Sequence, residues 1–385
     1  MDPVVLVLLA VVAGILFDIA NGWNDSANAI ATVVSTRVLR PWQALAMSAA
    51  LNFLGALVSV KVAQTMGSGV VRLPVELGSL VTVLSAMIAA AAWVAWCTRL
   101  GLPISCSHAL VGGLVGATAF VGGWGAVQWP GVVKILVALL VSPLLGFLFA
   151  YGAVVLLTWL AYYMEVTPSQ GRKVFGFMQL CSSSFVAFEH GKNDAQKVMG
   201  VVALGLFVGG FLKDGSGRVI TQLDQLYIPV WVKVVCASAI AFGTAIGGWR
   251  VIRTLGTRLA KITTLEGCCA ETAAGAVLEV AASMGVPVST THTITGGIAG
   301  VGSAKGIRAV RWGMGAKIVY AWVFTLPVTF LVGGLLAWFA RSVSLTAMIA
   351  GVVAVTILVV AGPRFVRLLR RPAGDLSPSS EIHAA

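Results

Sequence analysis

Long apolar segments cover almost the whole chain and restrict its fold more than any other feature. Of the 385 residues, 58% are hydrophobic and only 10% are charged, far from the balance of an ordinary globular domain. Most segments match or exceed the roughly 20 residues that cross a bilayer as a helix, and the alternation typical of membrane strands is absent. The sequence therefore predicts an all-α integral membrane protein.

We predict about 11–12 transmembrane segments, some of them broken or re-entrant. Two long segments, 4–36 and 174–212, are interrupted by polar residues at 20–24 and 190–194, where we expect the helix to break. Residues 1–20 lack the basic start and cleavage site of a signal peptide, so we interpret them as helix. The other apolar segments are 43–63, 78–98, 102–121, 132–160, 230–248, 265–284, 286–303, 315–340 and 343–362.

Two short motifs occur twice. Residues 101–116 align with residues 285–300, 184 positions later, and share seven identities in a Gly-x-Pro-x-Ser-x-x-His…Gly-Gly…Gly pattern. An Asn-Asp pair at 24–25 returns at 193–194, with an offset of 169. The order of the motifs is the same in both halves. The chain is therefore interpreted as a duplication.

Positive charge predicts the orientation. Basic clusters at 250–261 and 364–371 are expected to face the cytoplasm. Counting each apolar segment as one crossing puts the basic loops at 37–40, 172–173 and 305–311 on the same side. The first half then has an odd number of crossings, so the second half starts from the opposite face. This predicts two inverted-topology repeats, as in many secondary transporters.

This topology divides the chain into five parts. The net charge of +12 is explained by the basic loops, and no aromatic-interleaved basic patch accompanies them, so no nucleic-acid partner is expected. The six cysteines have neither metal-ligand nor disulfide spacing. The parts are a first repeat at 1–163, a cytoplasmic connection at 164–173, a second repeat at 174–340, an extra C-terminal helix at 341–362 and a basic, disordered tail at 363–385.

Acidic residues inside apolar segments indicate function. Seven of the fourteen Asp and Glu residues lie there, although a carboxylate in the bilayer costs about 3 kcal/mol or more. Membrane interfaces or pairing with Lys and Arg explain some of them equally well. These two explanations fit Asp25 and Asp194 less well, because both repeats contain Asn-Asp in the middle of an interrupted apolar segment. The seven are Asp18, Asp25, Glu189, Asp194, Glu266, Glu271 and Glu279.

The Asn-Asp pairs predict two cation sites. Unwinding a helix at Gly22 or Gly191 would free carbonyl oxygens, and the neighbouring carboxylate and amide would complete an all-oxygen shell. Sodium suits such a shell, with Asp25 and Asp194 as its charged ligands. A helix N-cap explains one copy, but hardly two at membrane depth. The candidate cation ligands are Asn24, Asp25, Asn28, Asn193, Asp194 and Gln196.

The repeated Pro-x-Ser-x-x-His motif predicts an anion site. Gly-x-Pro ends one helix, proline suits the first turn of the next, and serine caps it. Helix N-termini bind anions, and two inverted copies would bring two of them together near the midplane. A kinked helix whose hydroxyls bond their own backbone is the alternative. The candidate ligands of a small oxyanion are Ser105, Ser107, Ser289, Thr290 and Thr291.

These motifs resemble those of the inorganic phosphate transporter (PiT) family, and the short connection between the halves is similar to that of compact bacterial members. The family signatures resemble residues 22–28 and 190–197, and its serine-rich hairpins resemble residues 103–113 and 287–297. The resemblance implies inverted repeats that bind phosphate between hairpin tips and couple its uptake to sodium or protons. It implies cation ligands at Asn24, Asp25, Asn193 and Asp194 and phosphate ligands at Ser105, Ser289 and Thr290.

Three further residues are coupling or gating candidates. Glu271 lies in a stretch that resembles a family position where an acidic residue matters for transport. His108 and His292 either take part in coupling or tether their loops through ring hydrogen bonds. The second signature also departs from the expected small residues with Glu189 and Lys192, which predict an ion pair at i, i+3.

The sequence thus predicts a multi-pass symporter of the cell (inner) membrane that imports phosphate with sodium or protons. Sulfate is the alternative substrate and an anion channel a remoter one, although a channel would need continuous polar rings. No nucleophile elbow or His-Glu-x-x-His motif supports an enzyme, and no cofactor is expected. Its partners are then phosphate, the coupling ion and the lipid bilayer, and a homodimer is left open.

Overall fold

The computed structural model describes residues 2–214 and 216–342, and this part of the chain is nearly all helical and contains no β-strand. The predicted C-terminal helix at 343–362 and the tail lie outside the described residues. The helices are α1 (Pro3–Ser35), α2 (Pro41–Val58), α3 (Lys61–Ser68), α4 (Leu77–Leu100), α5 (Cys106–Gly122), α6 (Trp129–Tyr163), α7 (Pro168–Val208), α8 (Val230–Ile246), α9 (Trp249–Arg253), α10 (Thr264–Ser283), α11 (Thr290–Ala304) and α12 (Trp312–Ser342).

Five of the described helices, α1, α2, α4, α6 and α12, are long and apolar enough to cross a membrane. A sixth candidate is α8 together with α9 and its π-helical continuation Thr254–Leu259, which are bent by 61°. Such a set of apolar helices confirms the prediction of a multi-pass, all-α membrane protein.

Two helical hairpins enter the molecule from opposite ends. The open end of α4–α5 lies at the start of α1, where Val7 and Leu80 flank Gly209. The open end of α10–α11 lies near the end of α1, where Thr32 donates a hydrogen bond to Glu271. Because α1 has 33 residues and is therefore about 50 Å long, these are opposite ends of the molecule. Each hairpin turns at the level of the polar residues of α1 and α7, where Asn24 contacts Leu102 and Asn193 contacts Val288, so its two helices do not form two independent crossings.

The apolar core is divided between these two ends. One cluster joins the first half of α1 to α3, α4, α5 and the second half of α7. The other joins the second half of α1 to α9, α10 and α11. Between them, α1 and α7 carry buried polar side chains from Asn21 to Asn28 and from Glu189 to Lys197. The fold therefore holds a polar layer between two apolar clusters.

The predicted breaks at 20–24 and 190–194 are wrong, because α1 and α7 are continuous α-helices through both. The glycines there serve close packing instead. A β-carbon on Gly22 would overlap the carbonyl oxygen of Ile240 in α8, and one on Gly191 would overlap that of Asn52 in α2. Since the backbone carbonyls stay inside the helices, any cation at the Asn-Asp pairs has to be bound mainly by side chains.

Gly191→Ala should therefore destabilise the protein through overpacking, by about 1–3 kcal/mol. Gly176 lies on the same helix, where an added β-carbon would meet no atom within 4 Å. Gly176→Ala is the matched control and should be neutral or slightly stabilising. Thermal unfolding of the purified variants in detergent measures both, and equal midpoints would refute the packing role of Gly191.

The basic loops should lie on one face of the membrane. Thr36 bonds Gln179 at 2.8 Å, and Gly256 packs on Ala31, so the start of α7 and the π-helix share the end of the molecule where α1 stops. Cysteines introduced at Ser169 and Thr257 in a cysteine-free background should react with impermeant reagent only from the cytoplasm, and one at Ser216 only from outside. Outside labelling at Thr257 would contradict the orientation.

Candidate functional site

The repeated motif forms the same turn at both hairpin tips. Gly101 ends α4 with φ 75° and Gly285 follows α10 with φ 67°, conformations that favour glycine. Pro103 and Pro287 lie in short extended linkers that precede α5 and α11. The prediction that these prolines occupy the first turns of the new helices is therefore wrong. The N-caps are Ser105 and Ser289, whose hydroxyls accept hydrogen bonds from the amides of His108 at 3.1 Å and His292 at 3.2 Å.

The two tips contact each other in the polar layer. The Ser107 hydroxyl donates to the Val288 carbonyl at 3.2 Å, and the rings of His108 and His292 meet edge to face with centroids 4.9 Å apart. The first amides of α5 and α11 therefore open into one region. Its positive helix-end potential suits an anion.

His292 has the contacts of a tether. Its Nδ1 lies 3.1 Å from the Leu139 carbonyl, and its ring stacks on Trp322 at 3.8 Å between centroids. Neither the Nδ1 of His108 nor the Nε2 of His292 has a partner among the described residues. Each ring thus retains one nitrogen for another contact.

Asp25 of α1 contacts the second hairpin. Its Oδ1 accepts from the Thr291 hydroxyl at 2.9 Å, and that hydroxyl accepts from the Asn28 amide nitrogen at 3.0 Å. Asp25 and Asn28 are fully buried. One predicted anion ligand, Thr291, is therefore bonded directly to two predicted cation ligands.

Asp194 of α7 has a similar neighbour and one additional cation. Its Oδ1 accepts from the Thr290 hydroxyl at 3.0 Å and from the Lys197 ammonium at 2.6 Å. Two successive threonines of one hairpin thus bond the two signature aspartates. The predicted anion and cation residues form one site, not two.

His190 lies between the two aspartates, and sequence reasoning did not select it as a ligand. Its Nδ1 bonds the Asn52 amide oxygen at 2.9 Å, while the Asn52 nitrogen donates to Thr244. This network puts the proton on Nδ1 and turns Nε2 towards Asp194 and Asp25, at 3.4 Å and 3.8 Å. One ligand atom from each of the three lies within 4.8 Å of the others, a spacing that a proton or a bound cation can bridge.

The asparagines of both signatures form their hydrogen bonds through nitrogen. Asn24 donates to the Thr98 hydroxyl at 2.8 Å and to the Leu102 carbonyl, and Asn193 donates to the Val288 carbonyl at 3.2 Å. Their side-chain oxygens, like that of Asn28, are buried without a partner among the described residues. Amides whose nitrogens are bonded and whose oxygens are free are suited to binding a positive group.

Two other candidates lie outside this centre. The Gln196 oxygen accepts from the Val62 amide at 2.9 Å, which fastens α3 to α7. Glu271 is buried and bonded to Thr32 and to Ser182, the latter at 2.5 Å. Since Thr32 is one helical turn after Asn28, Glu271 lies beside the polar layer but contacts neither aspartate.

Three of the other membrane carboxylates, Glu189, Glu266 and Glu279, have structural partners, whereas both oxygens of the buried Asp18 lack a hydrogen-bond partner among the described residues. The predicted pair of Glu189 and Lys192 is confirmed at 3.5 Å, and Lys192 also binds Glu279. Glu266 completes a capping box with Thr263 at the start of α10 and pairs with Lys305 at 2.7 Å. Ion pairs and capping therefore explain the positions of these three carboxylates.

An all-helical membrane protein with two opposed hairpins meeting at a buried polar site has the architecture of a secondary transporter. The sequence profile described as "Phosphate transporter family" matches residues 21–333. The chain belongs to this family, whose members are transporters and not enzymes.

Similar proteins include two named "Probable low-affinity inorganic phosphate transporter". The one from Rhizobium meliloti is 41% identical, with 86% of this chain and 95% of the relative covered. The one from Bacillus subtilis is 35% identical, with coverage of 86% and 96%. A solved structure described as "The sodium-dependent phosphate transporter" matches with a TM-score of 0.77 and 24% identity, covering 88% of this chain and all of that one. At this identity the structural match establishes the fold alone.

Proposed function

We propose that the chain is a secondary active transporter that imports inorganic phosphate by symport with sodium or protons across the cell membrane. The observation that carries the proposal is the meeting of two helix N-termini and two buried aspartates in one site. The names of the similar proteins support phosphate as the oxyanion.

The hairpin tips are suited to phosphate. In α5 and α11 the first amides have no carbonyl partner within their helix, and the serine caps engage only the third of them. Hydroxyls of Ser105 and Ser289 lie at the same tips, whereas the Ser107 hydroxyl donates to the Val288 carbonyl. Neutral donors at helix ends bind a tetrahedral oxyanion without an arginine clamp.

Charge explains the coupling. Phosphate at the tips would lie close to Asp25 and Asp194, because Thr290 and Thr291 belong to the first turn of α11 and bond both carboxylates. Like charges repel strongly where water is excluded. A cation or proton held by these aspartates and the free asparagine oxygens removes that repulsion, so each ligand raises the affinity for the other.

The opposed hairpins supply the access route. One enters from each end of the molecule, and the substrate site lies where their tips meet. Rocking of one hairpin and its neighbours relative to the other would expose this site to each side in turn.

Asp25→Asn and Asp194→Asn should each abolish gradient-driven phosphate uptake, because each removes a charge and keeps the shape of the site. Asp214 lies in an exposed loop and pairs with Arg218, so Asp214→Asn is the matched control and should transport normally. The measurement is radiolabelled phosphate uptake into proteoliposomes, with sodium and proton gradients imposed separately and unlabelled sulfate as competitor. Normal uptake by both site variants, or stronger inhibition by sulfate than by phosphate, would contradict the proposal.

Ser289→Ala and Thr290→Ala should each weaken phosphate binding at least tenfold, because the first removes a donor to the anion and the second removes the hydroxyl that donates to Asp194. Losing a hydrogen bond to a charged group costs about 1.5–3 kcal/mol. Cys106 follows the equivalent serine in the first hairpin, and Cys106→Ala should be nearly silent because a thiol is a weak donor. Equilibrium phosphate binding to purified variants measures this, with thermal unfolding to check the loss of the Ser289 cap. A silent Ser289→Ala beside a damaging Cys106→Ala would place the anion on the other hairpin.

A further inference from the structure

The side chain of Lys197 ends inside a shell of oxygen atoms. Its ammonium lies 2.6 Å from Asp194 Oδ1, 2.6 Å from the Val288 carbonyl oxygen and 2.7 Å from the Ser107 hydroxyl. The lysine side chain is 3% exposed and the Asp194 side chain 2% exposed. One carboxylate, one carbonyl and one hydroxyl are the ligand types that bind a small hard cation.

These contacts leave the ammonium no free donor. A lysine ammonium has three N–H donors and no acceptor. The Val288 carbonyl and the carboxylate are acceptors only, and the Ser107 hydroxyl already donates to Val288. Three acceptors therefore engage three donors. The group acts towards Asp194 as a cation and offers nothing further to an anion.

The equivalent position in the first half carries no such group. With the offset of 169 residues, Asp194 corresponds to Asp25 and Lys197 corresponds to Asn28. Asn28 is neutral, and its side-chain oxygen is buried without a partner among the described residues. The two halves therefore keep the same carboxylate, but one of them carries a covalently attached cation and the other a free oxygen ligand.

We propose that the Lys197 ammonium is a tethered cation that permanently fills the cation site of the second half, so that the mobile coupling ion binds at Asp25, Asn24 and Asn28. This inference rests on the proposed symport and specifies where its ion binds. Sodium, which the second Asn-Asp pair alone would suggest, does not fit at Asp194 beside an ammonium 2.6 Å away. The lysine neutralises one of the two carboxylates, and a single monovalent ion, or a proton shared with the neighbouring His190, neutralises the other.

Sodium binding to the purified full-length chain tests this directly. Lys197→Ala empties the oxygen shell around Asp194, so equilibrium binding of radioactive sodium should rise by one ion per chain relative to the wild type. Lys197→Met removes the same charge but fills the space with a thioether, which is a poor sodium ligand. It is the matched control, and its sodium count should equal that of the wild type.

Phosphate binding supplies a second measurement. In choline buffer both variants should bind phosphate at least tenfold more weakly than the wild type, because Asp194 is left uncompensated. Sodium should restore binding in Lys197→Ala and not in Lys197→Met. A folded Lys197→Ala that gains no sodium, or equal gains in the two variants, would overturn the proposal.

If Lys197→Ala does not fold, the proposal can be tested with Asp194→Asn in the otherwise wild-type chain. Asp194→Asn should then leave the number of bound sodium ions unchanged, and a loss of one ion would overturn the proposal. Failure of the wild type to transport phosphate would refute the proposed function instead, without altering these sodium counts.

Discussion

Neutralisation of Asp25 and Asp194 is the constraint on which the rest of the structure depends. Two carboxylates buried in the interior of a membrane protein are costly unless polar or positive groups surround them. The second hairpin contributes two threonine hydroxyls, and α7 contributes His190 and Lys197. The asparagine oxygens of α1 are acceptors without a partner among the described residues, so they are left for a cation. The same groups that stabilise the carboxylates also define what can bind beside them.

Close packing of helices makes this arrangement possible. Gly22 and Gly191 let α1 and α7 approach α8 and α2 at backbone distance, directly beside the signature residues. In a membrane interior, small residues and backbone contact replace the hydrophobic driving force that holds soluble helices together. Gly22 and Gly191 therefore serve helix packing, although the sequence around them suggests a helix break.

Much of the site was predictable because its two halves repeat. Serine occurs at equivalent positions, 105 and 289, in both copies of the motif. This repetition predicted two helix N-caps, and both are present. The Asn-Asp pairs predicted carboxylates within the membrane, and both are buried. Two features escaped prediction. In the sequence, His190 is only one residue of a motif, and its role depends on the hydrogen bond to Asn52 that orients its ring. Lys197 resembles any other basic residue, and its role depends on its contacts with three oxygen atoms.

The sequence by itself determined the helical membrane class, the duplicated motifs, the caps at the hairpin tips and the family, because these depend on composition and on residues close together in the chain. Only the tertiary structure decided that α1 and α7 run unbroken, that the hairpins turn back beside the polar residues of these helices, and that anion and cation candidates share one site. These features depend on contacts between residues such as Asp25 and Thr291, which are 266 positions apart. The pattern of neighbouring residues in the sequence does not tell which distant side chains will contact one another in the folded protein.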